Sequence, residues 1–380
     1  MMTVWIENPF DNLPREGSRP LRYWLMARAF VAAGHRVVYW SSDFSHTTKQ
    51  PRKVPRNFID EGIDVHLIPT PPYKKNVSLA RIRSHRAYAQ AWKRVVQSET
   101  NQPDVLIVSA PPLATGPVAI ALARQFSAKL VVDIMDAWPQ TFERVVPRLL
   151  APFLLARPRQ VAKELYAAAD LVTGVAERYR DLTTNRFQRF YHGIELGPVV
   201  ERLAGKVPRL VYIGNMGRTY QLESILDALV KLPDVTLDLA GKGSQEDALK
   251  EKCRALGLKG RVTFHGQLAQ EEMNALLRSC DIGIVPMQGE SCVGVPYKLA
   301  DYAAAGLAIL SSLEGESVDL LSRYQAGLLY QANDADSFVT KVNELIPQLA
   351  TMRAGARHLA ETEFDARQIY RDYVNTIENL

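Results

Sequence analysis

Residues 295–312 read VPYKLADYAAAGLAILSS. Pro296 and Tyr297 lead into Lys298 and Asp301, at the start of a small-residue helix pattern that breaks at Gly306. An apolar run of strand type follows. The order is loop, helix, turn, strand, and the same order recurs along the chain. In the first half the strand-like runs are TVWIEN, RVVYWSS, IDVHLIP, DVLIVSA, KLVVDIM and DLVTGV. In the second half they are RLVYIG, VTLDLAG, RVTFHG, DIGIVP, LAILSS and AGLLYQ. Helix-length amphipathic segments separate them. In PLRYWLMARAFVAAGH, for example, Leu21, Leu25, Ala29 and Ala32 share one helical face, Pro20 suits a first turn and Gly34 a cap.

Near-continuous apolar strands alternating with helices predict an α/β protein with parallel sheets covered on both faces. At 380 residues the chain exceeds one ordinary core. The rhythm also restarts after a Gly- and Pro-bearing stretch, HGIELGPVVERLAGKVPR. The expectation is two doubly wound Rossmann-like domains facing across a cleft. Residues 1–195 form the first domain, joined by a C-terminal helix at 364–380, and 207–363 form the second, with 196–206 as linker.

Charge divides with the domains. Residues 1–200 hold 27 Lys and Arg against 17 Asp and Glu, a balance of +10; the remainder holds 19 against 24, or −5. The two halves are expected to meet different partners. Cys253, Cys280 and Cys292 have neither disulfide-type nor metal-type spacing, and read as free thiols in a reducing compartment. No basic-then-apolar leader opens the chain and no apolar run is long enough to span a bilayer, so the expected location is cytoplasmic.

In such folds ligands bind beyond the carboxyl ends of the strands. After the first strand, Gly17 and Ser18 precede a helix, with Arg15, Arg19 and Arg22 nearby. The loop suits an anionic ligand or acceptor, or is simply a surface loop. The pattern G-x-G-x-x-G is absent, which argues against a dinucleotide cofactor. VVDIMDAWPQ places Asp133 and Asp136 at a strand end. Asp136 is positioned to accept from sugar hydroxyls or to take a proton, or else caps a turn. Among the histidines, His46 in SDFSHTTK is the one placed for chemistry; His35 reads as structural, and no metal-ligand spacing appears.

Lys74, Lys75, Arg81, Arg83, Arg86, Lys93 and Arg94 crowd one stretch without an acid among them. With the apolar-basic segment 145–163, it suits contact with an anionic membrane face, possible also as a solvated helix face. No nucleic-acid recognition motif accompanies it. In the second half YIGNMGRTYQLESILDAL carries Gly214, Asn215, Gly217 and Arg218 in a strand–turn–helix, and LAGKGSQEDALKEKC repeats this with Gly241, Lys242 and Gly243. Two such turns in one domain, with Lys298 at a third helix start, point to an anion site.

These runs, with LGLKGRVTFHGQLAQEEMNALLRSCDIGIVPM and VPYKLADYAAAGLAILSS, resemble in order and spacing the donor domain of the retaining glycosyltransferases of family 4, of GT-B architecture. REGSRPLRYWLMARAFVAAGHRVVYWSSDFSH and DIMDAWP are similar to the bacterial surface-polysaccharide members of that family. The resemblance covers nearly the whole chain. It implies a nucleoside-diphosphate sugar donor, a glycan or lipid-diphosphate-linked acceptor, and a diphosphate neutralised by protein cations and helix dipoles without a metal or other cofactor. It assigns Arg218 and Lys298 to the diphosphate, Asp301 to the ribose, and Pro296 and Leu299 to the same helix start. Arg19 joins Gly17 and Ser18 on the acceptor side. The family often carries a glutamate eight positions before Asp301; here that position is Val293, with Glu290 nearby but out of register. Two other readings stay open: a sugar-nucleotide epimerase of the same architecture, and a non-catalytic sugar-nucleotide or glycan-binding protein.

Overall fold

The structure is a computed structural model, and it describes residues 1–144, 146–198, 207–287 and 293–380. Most of linker 196–206, together with Val145, Glu290 and Cys292, lies outside the described residues. The chain separates into two units, residues 1–193 with 367–380, and 194–366.

The first unit is built on β1 (Thr3–Glu7), β2 (Arg36–Ser42), β3 (Phe44–Ser45), β4 (Gln50–Pro51), β5 (Asn57–Asp60), β6 (Ile63–Ile68), β7 (Val105–Ala110), β8 (Lys129–Ile134), β9 (Leu171–Gly174) and β10 (Phe187–Arg189). Eight of these form one sheet in the order β10-β9-β8-β7-β1-β2-β6-β5, and β3 and β4 make a separate small ribbon. The central strands are buried along almost their whole length, as continuous apolar runs require of a sheet covered on both faces. The edge strand β5 runs antiparallel to β6. Its sequence, NFID, is too short and too polar to announce a strand. Trp5, Trp40, Tyr88 and Trp92 fill the core on the side of helix Leu79–Val95. That helix starts where the Ser78 side chain accepts from the Arg81 N–H.

The C-terminal helix Ala366–Glu378 closes the first unit: Tyr370, Tyr373, Val374 and Ile377 are buried, and Glu378 meets His35 at 2.9 Å. His35 thus has the structural role its position suggested.

The second unit holds β11 (Arg209–Ile213), β12 (Thr236–Ala240), β13 (Val262–Gly266), β14 (Ile282–Val285), β15 (Ala308–Ser311) and β16 (Gly327–Leu329), all parallel, in the order β13-β12-β11-β14-β15-β16. The strand order reverses between β11 and β14. That crevice is where open parallel sheets take ligands, and the helix Tyr297–Ala304 follows β14.

Candidate functional site

The turns that leave β11 and β12 are knitted into one platform. Gly214 N–H donates to the Ala240 carbonyl at 2.9 Å, Met216 N–H to Lys242 at 3.0 Å, and Gln245 N–H returns to Met216 at 3.0 Å. A Cβ on Gly241 would lie 1.9 Å from the Gly214 carbonyl oxygen, and one on Gly243 would lie 2.3 Å from that of Met216. Gly241 also has φ +134°, a conformation that side chains rarely adopt. Both glycines are therefore demanded by close backbone approach.

Against this platform sits Lys298. Helix Tyr297–Ala304 begins after Pro296, which caps it in an extended conformation and lacks an N–H that would otherwise go unpaired. Lys298 is buried, and its Nζ has no hydrogen-bond partner among the described residues. The amine lies 3.9 Å from the ring centroid of Tyr220 and 4.3 Å from that of Tyr212. Burial pushes its pKa down from 10.5 to about 7, with the Asp301 charge pulling upward. Tyr212 is held by donating its hydroxyl to the Asn215 carbonyl at 2.6 Å. The helix is pinned across the switch point by Tyr302, whose hydroxyl accepts from Ile213 N–H at 3.0 Å and donates to the Ile284 carbonyl at 3.2 Å. Gly283 makes room for it, since a Cβ there would lie 2.3 Å from the Tyr302 ring. Tyr212, Gly283 and Tyr302 lie within the runs quoted above, but only the pairing of β11 with β14 reveals that they meet.

The other donor-side residues separate by position. Arg218 and Lys242 are exposed on the two turns, and Arg218 lies in the turn closed by Tyr220 N–H donating to Gly217 at 3.0 Å. Asn215 and Gly214 are exposed, Gly217 is half-buried, and Asp301 is buried one turn beyond Lys298. Leu299 differs from its expected part: its side chain is fully buried in the core and its N–H is bonded to the Pro296 carbonyl at 3.0 Å, so it offers neither to a ligand.

In the first unit the two aspartates part company. Asp133 is fully buried and takes both ends of the Arg22 guanidinium at 2.8 Å, with Thr173 Oγ1 at 2.6 Å. Arg22 also donates to the Phe190 and Tyr191 carbonyls. Neither residue is available to a ligand, so Arg22 leaves the set of loop cations. Arg15 is exposed and covers Phe58 at 5.0 Å. Gly17 closes a short 3-10 turn at φ +77°, followed by half-buried Ser18 and Arg19.

Asp136 is open to solvent as a residue, while its carboxyl is crowded; the crowding raises its pKa and Arg81 opposes the rise. Arg81, expected on the basic face, is instead half-buried. Its guanidinium lies 5.0 Å from the Trp138 ring centroid, 5.5 Å from that of Phe10 and 5.9 Å from that of Tyr73. His46 packs on Phe10 at 5.1 Å between ring centroids, and its Nδ1 bonds the Tyr73 hydroxyl. Burial, then Lys49 and Arg81, hold its pKa at about 3, so it is neutral at physiological pH. His85, absent from the sequence-derived set, joins the same cluster at 3.3 Å from Arg81 Nε, with its pKa also held at about 3. Among the described residues one His–carboxylate group, Asp64, His66 and Glu99, is tight enough for a cation, and it lies on β6 and the segment after helix Leu79–Val95.

Comparison with known proteins matches each unit separately. Residues 22–190 match a glycosyl transferase 4-like domain, and residues 207–348 match the glycosyl transferases group 1. The lipopolysaccharide core biosynthesis glycosyltransferase LpsE of Rhizobium meliloti is 23% identical over 56% of this chain and 65% of its own length. A glycogen synthase of Mycobacterium tuberculosis is 28% identical over 41% of this chain and 39% of its own. The chain thus spans less than two thirds of these relatives. Sucrose-phosphate synthase from Thermosynechococcus elongatus superposes with a TM-score of 0.80 at 15% identity, covering 100% of this chain and 99% of that one. HepE of Anabaena, solved with UDP and glucose, superposes with a TM-score of 0.67 at 16% identity and 100% coverage of both. The fold is that of the GT-B architecture, two Rossmann-like domains of mainly parallel sheet, and part of each unit matches a glycosyl transferase domain model.

Proposed function

We propose that the protein transfers a sugar, with retention at the anomeric carbon, from a nucleoside-diphosphate sugar to a surface glycan or lipid-diphosphate-linked acceptor. One observation carries this reading: a buried lysine amine without a hydrogen-bond acceptor among the described residues, at the switch point, beside two glycine turns. An isolated buried cation is costly unless something anionic meets it. A diphosphate supplies that charge, and Lys298 is its contact, with Arg218, Lys242 and the N–H groups of the turns as further donors. Asp301 suits the ribose hydroxyls.

In the transfer the bond from the anomeric carbon to the leaving phosphate oxygen breaks and a bond to the acceptor oxygen forms. The acceptor proton passes to the departing phosphate. Fixed cations at the developing phosphate charge then stabilise the transition state, and the chemistry needs no metal. On the acceptor side Asp136 feels the charge of Arg81, whose guanidinium is stacked on Phe10, Tyr73 and Trp138, in an aromatic cluster that His46 and His85 join. His46, being neutral, serves as a hydrogen-bonding wall. Lys74, Lys75, Arg83, Arg86, Lys93 and Arg94 are exposed, which suits peripheral contact with an anionic cytoplasmic membrane face. No described helix is long and apolar enough to cross a membrane.

Thermal-shift measurement against a panel of nucleoside diphosphates and their sugars tests the donor site. A ligand at 100 times its Kd stabilises by about 2.7 kcal/mol, and Lys298→Ala and Asp301→Ala should remove most of that shift. An unchanged shift in both variants would reject this site. Product analysis with and without acceptor separates transfer from epimerisation, which needs none.

A further inference from the structure

Four large apolar side chains stand in solvent within six residues: Leu149 at 88% exposure, Leu150 at 50%, Phe153 at 81% and Leu154 at 58%. A water-soluble surface rarely gathers such a set without a use for it. Ala151 and Leu155 of the same segment are buried, so the backbone is anchored while the four side chains face outward. We propose that this knuckle, residues 147–155, inserts into the outer acyl region of a phospholipid bilayer. The inference deepens the membrane contact proposed above, from adsorption by charge to insertion.

From residue 150 to 155 every backbone N–H is satisfied within the segment. Leu150 and Ala151 N–H donate to the Pro147 carbonyl at 2.8 and 3.0 Å, Phe153 and Leu154 to Leu150 at 3.1 and 2.9 Å, and Leu155 to Ala151 at 3.0 Å. Pro147 and Pro152 have no N–H to satisfy. A segment entering hydrocarbon must meet its own backbone needs in this way. The flanks suit an anionic headgroup layer: Arg148, Arg157 and Lys163 are exposed, Arg159 is exposed and paired with Glu143 at 2.7 Å, and no carboxylate occurs between 146 and 163. A second copy of the chain would bring the same positive flanks against themselves, which is why lipid is the favoured occupant. The knuckle begins five residues after Phe142, whose ring contact with Trp138 at 4.5 Å adjoins Arg81. A lipid-linked acceptor held in the bilayer would therefore reach the aromatic cluster around Arg81 from this side.

Full-length protein would be mixed with vesicles of phosphatidylcholine with about 30 mol% phosphatidylglycerol, at about 0.1 M and about 0.5 M salt, the latter shortening the screening length well below about 10 Å. Wild type should sediment at both. The triple variant Leu149→Ser, Phe153→Ser, Leu154→Ser should lose at least about tenfold in partition at high salt, where adsorption by charge is screened. A Phe153→Trp variant should show, relative to wild type, an added emission component that shifts to the blue on vesicle addition and is quenched by brominated acyl chains. Equal partition of the triple variant and wild type, or no blue shift and no quenching of the emission that Phe153→Trp adds, would overturn the proposal. So would a wild-type dimer that the triple variant dissolves, which would make the patch a contact between copies. Donor thermal shifts, measured without lipid, should be the same in wild type and the triple variant. Their failure would strike the donor site and leave insertion standing.

Discussion

The Lys298 amine lies 3.9 Å from the Tyr220 ring centroid and 4.3 Å from that of Tyr212, with no hydrogen-bond acceptor among the described residues and with a pKa of about 7. Unfolding would return that amine to its ordinary value of 10.5. Between pH 7 and 10.5 the unfolded chain therefore binds a proton that the folded one does not. Stability from this group rises with pH through that window and is lowest below about pH 7, where the buried amine is charged. Lys298→Met should raise the melting temperature most at about pH 6.5 and least near about pH 10, each kcal/mol giving about 2–4 °C. The same variant should weaken nucleoside-diphosphate binding by about tenfold or more. In wild type, binding an anion favours the charged amine, so affinity should fall as pH climbs above about 7. A melting difference that does not vary with pH would refute the assignment of the depressed pKa.

Glycines of the donor-side turns should differ sharply from one another. Gly241→Ala puts a methyl group 1.9 Å from a backbone oxygen at φ +134°, with no flexible side chain to yield. Overpacking and backbone strain together should cost about 2 kcal/mol or more. At Gly217 the nearest atom to a Cβ is Asn215 Oδ1 at 3.4 Å, an ordinary contact. Gly217→Ala should melt near wild type. Equal melting temperatures for the two variants would show that the two turns are not locked together.

Asp133 and Asp136 sit three residues apart, yet their substitutions should read out on different axes. Asp133→Asn leaves the Arg22 guanidinium buried with its counter-charge removed, a change that typically costs about 3–5 kcal/mol. Asp136→Asn replaces a crowded carboxyl whose burial already disfavours its charge, and should keep the melting temperature while lowering sugar transfer. Thermal unfolding and turnover, measured on both, check this. A large loss of stability in Asp136→Asn would place it with the structural pair.

Those two aspartates also show how far the sequence could be read. Apolar runs such as VLIV and AIL made the parallel strands legible, because burial on both faces favours apolar residues at successive positions. The glycine turns and Lys298 were legible too, since a strand end followed by glycine and a helix start is a local signal. What escaped was set by strand order. Asp133 meets Arg22 across 111 residues, and Tyr302 reaches Ile213 across 89. Neither pair has any local periodicity to betray it. Arg81 was misplaced for a related reason: its neighbours Lys74, Lys75 and Arg83 are exposed, and only the fold brings Phe10 and Trp138 around its guanidinium.

That misplacement yields a separable prediction. Lys74, Lys75, Arg83 and Arg86 are exposed and form the basic face proper, and each near-surface cation adds about 1 kcal/mol towards an anionic membrane. Replacing all four by glutamine should weaken sedimentation with phosphatidylglycerol-containing vesicles at low salt, with donor binding and melting unchanged. Arg81→Gln should do the reverse. Its guanidinium stacks on Trp138 and donates to the Asn76 carbonyl at 2.9 Å. Loss of that group should therefore lower transfer to acceptor, raising the acceptor KM more than the donor KM, with little change in vesicle binding. Vesicle sedimentation and two-substrate kinetics on the same pair of variants decide the matter. If Arg81→Gln released the protein from vesicles as fully as the fourfold variant, its side chain would belong to the outer face and the aromatic cluster would lose its cation.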